Sequence, residues 1–399
     1  MHHAFTNSRV DQRRIASKLM SALACFLLIA GTAGATSYSW TGDDLPDSRW
    51  SRENNWDPMG VPSEEGDEAE ILENAPAGDY VIADIPLDIH KVTAELPVQL
   101  RSNFAVSAAS SFRDLLLGGG TDTPQIWAPG LNITGNCIWE RATLVASFNG
   151  TYRFTGDTLR VVESTGDHDL YLARFENHGT VIQEAEVRGF EATIANEGNW
   201  FSDDNLTDGS LDTILTRFEN GGLFRFQGNS GGAETIFVME PGSEFQSASG
   251  TYTLGGLTFL DGGMFTVEDG AKLRFVASSR DAGLYVSGQA RVEGAGRLEI
   301  DTSGEGYHQI ASGGALTLGM SPAGEEDGPA IRGDLFLSGN ITNEGHLTWA
   351  EGEITSGIDA GRLFNKGDLW IKRDVVQGVE LKAELVNEQN GMVNQLITV

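Results

Sequence analysis

The sequence has little cysteine, little proline and few basic residues, and these shortages exclude several classes of protein. Lys and Arg number 27 against 57 Asp and Glu, which gives a formal net charge of −30 at pH 7. Such a surface repels phosphate, so nucleic-acid binding is excluded and anionic membrane surfaces are disfavoured. Of the two cysteines, Cys25 lies within residues 1–35, which we interpret below as a cleaved N-terminal leader. Cys137 therefore has no intrachain disulfide partner, and we expect it to be buried and inert.

Long hydrophobic runs and helical periodicity are also missing after the leader. No later segment has about 18 consecutive apolar residues, so we expect no transmembrane segment in the mature chain. None has a sustained 3.6-residue period with helix caps either. Apolar residues still make up 40% of the chain, enough for a large core. Fifty Gly with only 11 Pro, and no strict three-residue period, indicate a β protein with many tight turns rather than collagen.

The N-terminus is typical of an export signal. A basic region that contains Arg14 and Lys18 precedes an apolar stretch over 19–29, and small residues at 33–35 form a cleavage site. We therefore predict a signal peptide over residues 1–35 and a secreted or cell-surface location. A buried N-terminal helix is the less favoured alternative.

A recurring turn organises the rest of the chain. Each copy has an apolar residue two before an Asn and a Gly two after it, and a looser sixth copy contains Asn387. Successive Asn positions lie 19, 24, 123, 22 and 22 residues apart. We interpret the long interval as between five and six periods of about 22 residues in one shared frame. The five regular pairs are Asn177 and Gly179, Asn196 and Gly198, Asn220 and Gly222, Asn343 and Gly345, and Asn365 and Gly367.

Short segments that alternate apolar and polar residues flank these turns, as in Lys272–Val276 and Ala315–Leu318. A repeat near 20 residues cannot bury its own apolar face and must stack on neighbouring repeats. The sequence therefore predicts an all-β fold, a right-handed parallel β-helix (β-solenoid) of about 22-residue coils over residues 76–399. An antiparallel sandwich or propeller with Asn-Gly hairpin turns is the alternative.

The repeated Asn and Gly have distinct expected roles in such a fold. We expect each Asn amide to bond to the amide one coil above, so that the amides form a ladder. We expect each Gly to supply a positive φ at a corner, where a Cβ would clash. Acidic residues between them, such as Glu197 and Glu344, should point outward. His178 is interpreted as a corner residue and not as a catalytic histidine.

The segment over residues 36–75 differs from the coils and is rich in Trp. It contains Trp40-Thr41-Gly42, then Trp50, then an Asn-Trp pair at Asn55-Trp56, a Pro, and an acidic strand entry over 67–71. Because the end of a solenoid exposes unpaired backbone, we predict that this segment is an N-terminal cap whose indoles cover the first coil.

This opening segment resembles that of exported bacterial β-strand-repeat proteins. The resemblance is confined to positions 36–75, and the Asn-x-Gly coils behind it agree with it. It implies a right-handed parallel β-helix that is secreted or displayed at the surface, as in adhesins and autotransporter passenger regions. We expect the chain to lack both a translocating barrel and a C-terminal anchor, which departs from that pattern.

The densest acidic loop follows Trp200 and is the candidate metal site. It supplies several oxygen ligands at short spacing, as Ca²⁺ prefers, but it matches neither the helix-loop-helix calcium loop nor the calcium-binding β-roll repeat. Asp43-Asp44 and the cluster at 325–327 are further acidic runs. Histidines are few and dispersed, so zinc is not expected, and no other cofactor is expected. The four candidate calcium ligands are Asp203, Asp204, Asn205 and Asp208.

Two functions from different classes agree with these features. The first is an exported structural or adhesive protein that binds polysaccharide or a cell-surface protein without catalysis. The alternative is a carbohydrate-active enzyme, a polysaccharide hydrolase or lyase, on the same scaffold. A hydrolase needs two carboxylates that face one groove. Asp203 and Asp204 are the residues to test for it. A fragment of a longer adhesin is a third interpretation.

Overall fold

The structure is a computed structural model, and its described part is all-β apart from one short 3₁₀ helix, Glu53–Asn55. The predicted signal peptide and the acidic cluster at 325–327 lie outside the described residues. The residues described are 36–73, 75, 79–119, 123–163, 167–208, 216–277, 282–301, 308–320, 330–332, 335–337, 340–356, 361–373, 379–388 and 391–397.

The strands form three stacks, which we call faces 1, 2 and 3 in the order in which each coil visits them. Face 1 is a separate sheet of 15 described strands. Its strands are Val81–Ala83, Val98–Leu100, Leu115–Leu117, Cys137–Trp139, Thr158–Val161, Thr180–Gln183, Asn199–Ser202, Leu223–Phe226, Glu244–Ser247, Met264–Val267, Gln289–Gly294, Ala315–Met320, Asn340–Asn343, Arg362–Asn365 and Glu384–Asn387.

Faces 2 and 3 are joined into one larger sheet by three long strands that run along both: Gln125–Ile133, Ala142–Phe154 and His346–Ser356. Face 2 also contains Leu87–Ile89, Phe104–Val106, His168–Tyr171, Val187–Phe190, Leu206–Asp208, Ser230–Ala233, Thr251–Leu254, Lys272–Val276, Arg297–Asp301, Ala330–Arg332, Asp368–Arg373 and Met392–Ile397. Face 3 contains Ser37–Trp40, Glu68–Ile71, Lys91–Ala94, Ser110–Phe112, Arg174–Asn177, Thr193–Asn196, Arg217–Asn220, Ile236–Met239, Leu257–Leu260, Gly283–Val286, His308–Ile310, Leu335–Leu337 and Val379–Lys382.

Parallel pairing between equivalent strands of successive coils confirms the predicted parallel β-solenoid. Among the described strands, one ladder alone is antiparallel, between Ser37–Trp40 and the short strand Trp56–Asp57. The antiparallel sandwich or propeller is therefore wrong. The right-handed sense stays a prediction, which agrees with the strong preference of parallel crossover connections for that hand.

The coils vary in length around the predicted period. On face 1, the coil that brings Val81 into register with Val98 is shorter than that period, and the coil that brings Phe265 into register with Val292 is longer. Loops at the corners absorb these differences, while the strands stay in register. At about 4.8 Å per strand, the 15 strands of face 1 extend over about 67 Å.

The core consists of the inward residues of all three faces, stacked in columns. Part of it is a stack of aromatic rings. Phe218 and Phe237 stack with ring centroids 5.2 Å apart, and Phe224 and Phe245 stack at 5.1 Å. Tyr252 tilts against Phe224 at 5.5 Å. All five rings are fully buried, so apolar burial and ring contacts stabilise this interior.

For two buried tyrosines of this core, we expect removal of the hydroxyl to change the free energy of unfolding in opposite directions. The Tyr152 hydroxyl donates to the Val145 carbonyl oxygen over 2.6 Å, whereas the Tyr252 hydroxyl forms no hydrogen bond with any described residue. Burial raises the pKa of both phenols. We expect Tyr252→Phe to raise the free energy of unfolding by about 1 kcal/mol and Tyr152→Phe to lower it by about 1 kcal/mol. Urea denaturation of both variants tests this, and equal shifts of the same sign would contradict it.

The Trp-rich segment caps the first coil, as predicted. Trp56 packs between Trp40 and Trp50, with ring centroids 5.0 and 4.6 Å away. The Trp56 indole N–H donates to the Trp50 carbonyl oxygen over 3.0 Å, and the Trp50 indole N–H donates to Pro62 over 3.0 Å. The three indoles are at most 3% exposed.

The cap is joined to the coils by backbone pairing. The Trp50 N–H donates to the Ile82 carbonyl oxygen over 2.7 Å, and the Ile82 N–H donates to Ser48 over 2.9 Å. The strand Ser37–Trp40 also pairs in parallel with Glu68–Ile71 of face 3. The cap thus satisfies strand edges of the first coil that would otherwise be open to pairing with another chain.

Candidate functional site

Two ladders of asparagine amides run along the interior. Asn177 Nδ2 donates to Asn196 Oδ1 over 2.7 Å, and Asn196 Nδ2 donates to Asn220 Oδ1 over 2.8 Å. Asn343 Nδ2 donates to Asn365 Oδ1 over 2.8 Å. Each donor amide also reaches a backbone carbonyl of the following coil. All five side chains are at most 1% exposed, so the ladders have a structural role.

The two ladders lie at different corners of the solenoid. The first consists of residues that end strands of face 3, and the second consists of residues that end strands of face 1. Asn220 is followed in its column by Met239, and Asn343 is preceded by Leu318. The prediction of one shared frame for all copies is therefore wrong. Both corners follow a strand whose last residue points inward, so the same motif suits either corner.

The glycines of the motif are needed for space and not for a left-handed backbone. None of the five has a positive φ, so that expected role is wrong. A Cβ on Gly198 would lie 2.1 Å from the carbonyl oxygen of Gly179, and one on Gly222 would lie 2.1 Å from that of Gly198. A Cβ on Gly367 would lie 2.0 Å from the carbonyl oxygen of Gly345. Successive corners therefore touch through their backbones.

The structure places Asp203, Asp204 and Asn205 at one corner and the backbone of Asp208 farther along the chain. Asp203 is exposed, and Asp204 Oδ1 accepts hydrogen bonds from the backbone and side-chain nitrogens of Asn205 over 2.8 and 3.0 Å. Asp208 ends the next strand, about 10 Å of extended chain beyond this corner, and its side chain lies outside the described residues. Within the described ranges, no three His, Cys, Asp or Glu side chains are grouped to hold a metal ion. Calcium binding stays a prediction.

Other residues singled out in the sequence have local structural partners. The Asp44 N–H donates to Asn55 Oδ1 over 2.7 Å within the cap. His178 lies at a corner, and its Nδ1 is 3.0 Å from the carboxylate of Glu197 at the same corner one coil later. Cys137 is buried on face 1, and burial raises the pKa of its thiol to about 12. That thiol is not a nucleophile at neutral pH.

Five Asp, Glu and His side chains are buried among the described residues, and each has partners. The Asp67 carboxylate accepts two backbone N–H groups, and His168 Nε2 lies 3.1 Å from the Trp139 carbonyl oxygen. The Asp67 contacts fix a local turn and the His168 contact ties one coil to the coil before it, as expected of structural groups. The five are Asp67, His168, Asp169, Glu299 and His308.

Glu299 has the largest set of partners. Lys272 Nζ lies 2.7 Å from it, Arg274 Nε 2.9 Å and Arg297 Nη2 2.8 Å. Although burial alone would raise it, these cations bring the pKa of Glu299 below its usual value. Glu299 stays ionised near neutral pH and links two coils of face 2.

His308 predicts a loss of stability in acid. Its Nδ1 accepts the Leu284 N–H over 3.0 Å, and its Nε2 lies 2.9 Å from the Asp301 carbonyl oxygen. Burial lowers its pKa from 6.5 to about 4. As the pH falls, the His308 ring is protonated in the unfolded chain before it is protonated in the folded one. The contribution of His308 to the free energy of unfolding is therefore complete above pH 6.5 and is lost as the pH falls toward 4. The loss is about 3 kcal/mol.

Urea denaturation between pH 7.5 and 4.5 measures this effect. We expect His308→Asn, which keeps an acceptor for Leu284, to reduce the steepness with which the free energy of unfolding falls in acid. His90→Asn, at an exposed ring, is the matched control. An unchanged pH dependence in His308→Asn would contradict the assignment.

One cluster on face 2 brings two carboxylates to the same arginine. Asp169 Oδ1 accepts a hydrogen bond from Arg188 Nε over 2.8 Å, and Asp167 Oδ1 lies 2.7 Å from Arg188 Nη2. Burial raises the pKa of Asp169, Arg188 opposes this, and Asp167 adds to it. Beside them, the rings of Tyr171 and Phe190 stack with centroids 4.1 Å apart. A carboxyl with a raised pKa beside a more exposed one is the pattern of an acid and its partner.

Face 3 has a second surface feature, a group of outward-facing apolar side chains, that the sequence does not predict. Alternate residues of its middle strands are fully buried, which places five other apolar side chains on the outside. Val238 is buried, with 2% of its surface exposed, so the accessible part of the group consists of the other four, which are partly exposed. We call this group the outer apolar patch; its members are Ile236, Val238, Leu257, Phe259 and Tyr285.

Comparison of the chain with protein-family models, with curated proteins and with solved structures finds no match. Over the ranges that the structure describes, no helix is long and apolar enough to span a bilayer. Functional conclusions about this protein therefore depend on its own residues and their arrangement.

Proposed function

We propose that this protein is an exported structural or adhesive protein that binds glycans or surface proteins without catalysis. The observation that supports this most is that the buried ionisable groups have structural partners. The five buried Asp, Glu and His side chains of the described part have backbone or ion-pair partners within the solenoid. Groups held in this way stabilise stacked coils, and stacked coils offer an extended binding surface.

The outer surface of the middle coils supports the same proposal. On face 3, Arg153 Nη2 lies 2.7 Å from Glu176, and Arg174 lies 2.9 Å from Glu176 and 3.1 Å from Glu219. These pairs form a network along the axis across successive coils. Together with a net charge of −30, they give a soluble surface that repels other acidic proteins, which suits a protein exposed outside the cell.

Export is tested with the full chain produced in a bacterial host with an affinity tag at its C-terminus. We expect mass spectrometry of the purified protein to find a mature N-terminus at Thr36, after cleavage behind Ala35. We also expect the mature protein to show saturable binding to intact bacterial cells. An uncleaved chain that stays in the cytoplasm, or mature protein that binds no cell surface, would contradict the proposal.

A carbohydrate-active enzyme is the second candidate, and the Asp167–Asp169 cluster is the observation that favours it. Release of reducing ends from neutral polysaccharides would establish turnover. If turnover occurs, its loss in Asp169→Asn with retention in Asp203→Ala would assign it to this cluster, and the reverse would assign it to the acidic corner. Absence of turnover on every polysaccharide favours the non-catalytic proposal.

A further inference from the structure

The outer apolar patch is continuous across three coils of face 3. Val238 is in register with Phe259, and Phe259 is in register with Tyr285. Ile236 and Leu257 occupy the outward positions two residues earlier in the same strands. The rings of Phe259 and Tyr285 meet edge to face, with centroids 5.6 Å apart. Neighbouring outward side chains therefore form one apolar surface and not scattered single residues.

Polar groups border this patch along the solenoid axis. In the coil before it, Arg217 and Glu219 hold the register positions of Ile236 and Val238, and Arg217 Nε donates to Glu219 over 2.6 Å. In the coil after it, Gln309 is in register with Tyr285. The patch and its borders span five strands, about 19 Å at 4.8 Å per strand. No member of the patch is charged, and the charges at one border neutralise each other.

We propose that the outer apolar patch binds a neutral polysaccharide. The inference rests on the proposed adhesive function and names the ligand class and the site. Apolar and aromatic surface matches the C–H faces of sugar rings, while the Tyr285 hydroxyl and the Gln309 amide supply the few polar contacts that orient a ligand. Strands that repeat along the axis offer equivalent contacts to a polymer that repeats along its length.

Charge argues against the other occupants. A second copy would bring another net charge of −30 to the interface, which opposes self-association. Polyuronates and nucleic acids are repelled for the same reason. A basic peptide would need acidic groups within the patch, and Glu219 at its border already pairs with Arg217 and Arg174. The patch is also the outer side of a sheet, whereas protein partners gain most from anchors that enter pockets.

Affinity electrophoresis in native gels tests the proposal with the mature protein. The probes are dextran, galactomannan, laminarin and hydroxyethylcellulose, with polygalacturonate as the anionic comparison. The double variant Phe259→Thr/Tyr285→Thr removes both rings and keeps residues that favour strands. Phe201→Thr, at an outward position of face 1, is the matched control. Circular dichroism checks that each variant is folded, and the single variant Tyr285→Thr replaces the double variant if that one is not.

We expect at least one neutral polysaccharide to retard the wild type, and we expect polygalacturonate not to retard it. We expect the double variant Phe259→Thr/Tyr285→Thr to bind that neutral polysaccharide at least tenfold more weakly than Phe201→Thr does. Retardation of the double variant equal to wild type would overturn the site. Cell binding by the wild type with no retardation by any neutral polysaccharide would overturn the ligand class while the adhesive function stands. A wild-type protein that does not bind cells at all would contradict the adhesive function itself.

Discussion

Replacement of Asn196 by Ala will lower the free energy of unfolding by about 4 kcal/mol. The Asn196 amide accepts from Asn177 and donates to Asn220 and to the Leu223 carbonyl oxygen, with all three hydrogen bonds between 2.7 and 3.0 Å. The side chain is 1% exposed, so water does not replace the lost partners. Each buried polar group left without a partner costs about 1–3 kcal/mol.

Urea denaturation measures the effect, with Asn199→Ala as the control three residues away. Asn199 is exposed at the start of the next strand, and its replacement should change the free energy of unfolding by about 0.5 kcal/mol or less. Asn196→Asp should be at least as destabilising as Asn196→Ala, because a buried carboxylate cannot donate to Asn220. Equal effects of Asn196→Ala and Asn199→Ala would contradict the structural role of the ladder.

Replacement of Trp50 by Ala will have a similar cost, about 4 kcal/mol. Trp50 is fully buried against Trp56, and its indole N–H donates to the Pro62 carbonyl oxygen. Its removal opens a cavity in the cap and leaves the Pro62 carbonyl oxygen without this donor. The loosened cap then exposes the edge of the first coil, so we also expect aggregation at high protein concentration.

Thermal and urea denaturation, with light scattering for aggregation, test the cap. The control is Trp127→Ala, at a partly exposed position of a strand far from the cap. It should lower the free energy of unfolding by about 1 kcal/mol or less, without aggregation. If Trp50→Ala stays as stable and as soluble as Trp127→Ala, the cap does not protect the solenoid.

The solenoid and its cap could be predicted from the sequence because their signals are local and repeated. Alternation of apolar and polar residues marks strands such as Lys272–Val276, and the Asn-x-Gly motif marks tight corners between them. A short repeat with an apolar face has to stack, whatever its detailed geometry. Trp40, Trp50 and Trp56 stand apart from the repeats, which is why their place at the end of the stack could be expected.

The position of each corner could not be predicted. A corner after face 1 and a corner after face 3 make the same demands on an Asn and a Gly, so Asn220 and Asn343 have equivalent local sequences at different corners. Which face a strand joins depends on the lengths of all the intervening loops. Because the coils differ in length, a constant period assigns some strands to the wrong face.

The outer apolar patch could not be predicted because the hydrophobicity of the residues in its strands does not indicate which side chains face outward. In Leu257–Leu260 the buried positions are Thr258 and Leu260, while Phe259 faces outward. Hydrophobicity alone would turn Phe259 inward and Thr258 outward. In Ile236–Met239 all four residues are apolar, so alternation gives no direction at all. Stacking on adjacent coils, which fixes the register, decides the orientation in both strands.

Cysteine cross-linking of register partners tests the stacked, parallel arrangement most directly. Thr180 and Asn199 are partners on face 1, and their side chains are accessible. In a Cys137→Ala background, we predict that Thr180→Cys/Asn199→Cys forms a disulfide within the monomer, because adjacent strands lie about 4.8 Å apart, within disulfide range. An antiparallel pairing of the same strands would instead bring Thr180 opposite Phe201. A disulfide in Thr180→Cys/Phe201→Cys and none in the first variant would contradict the solenoid.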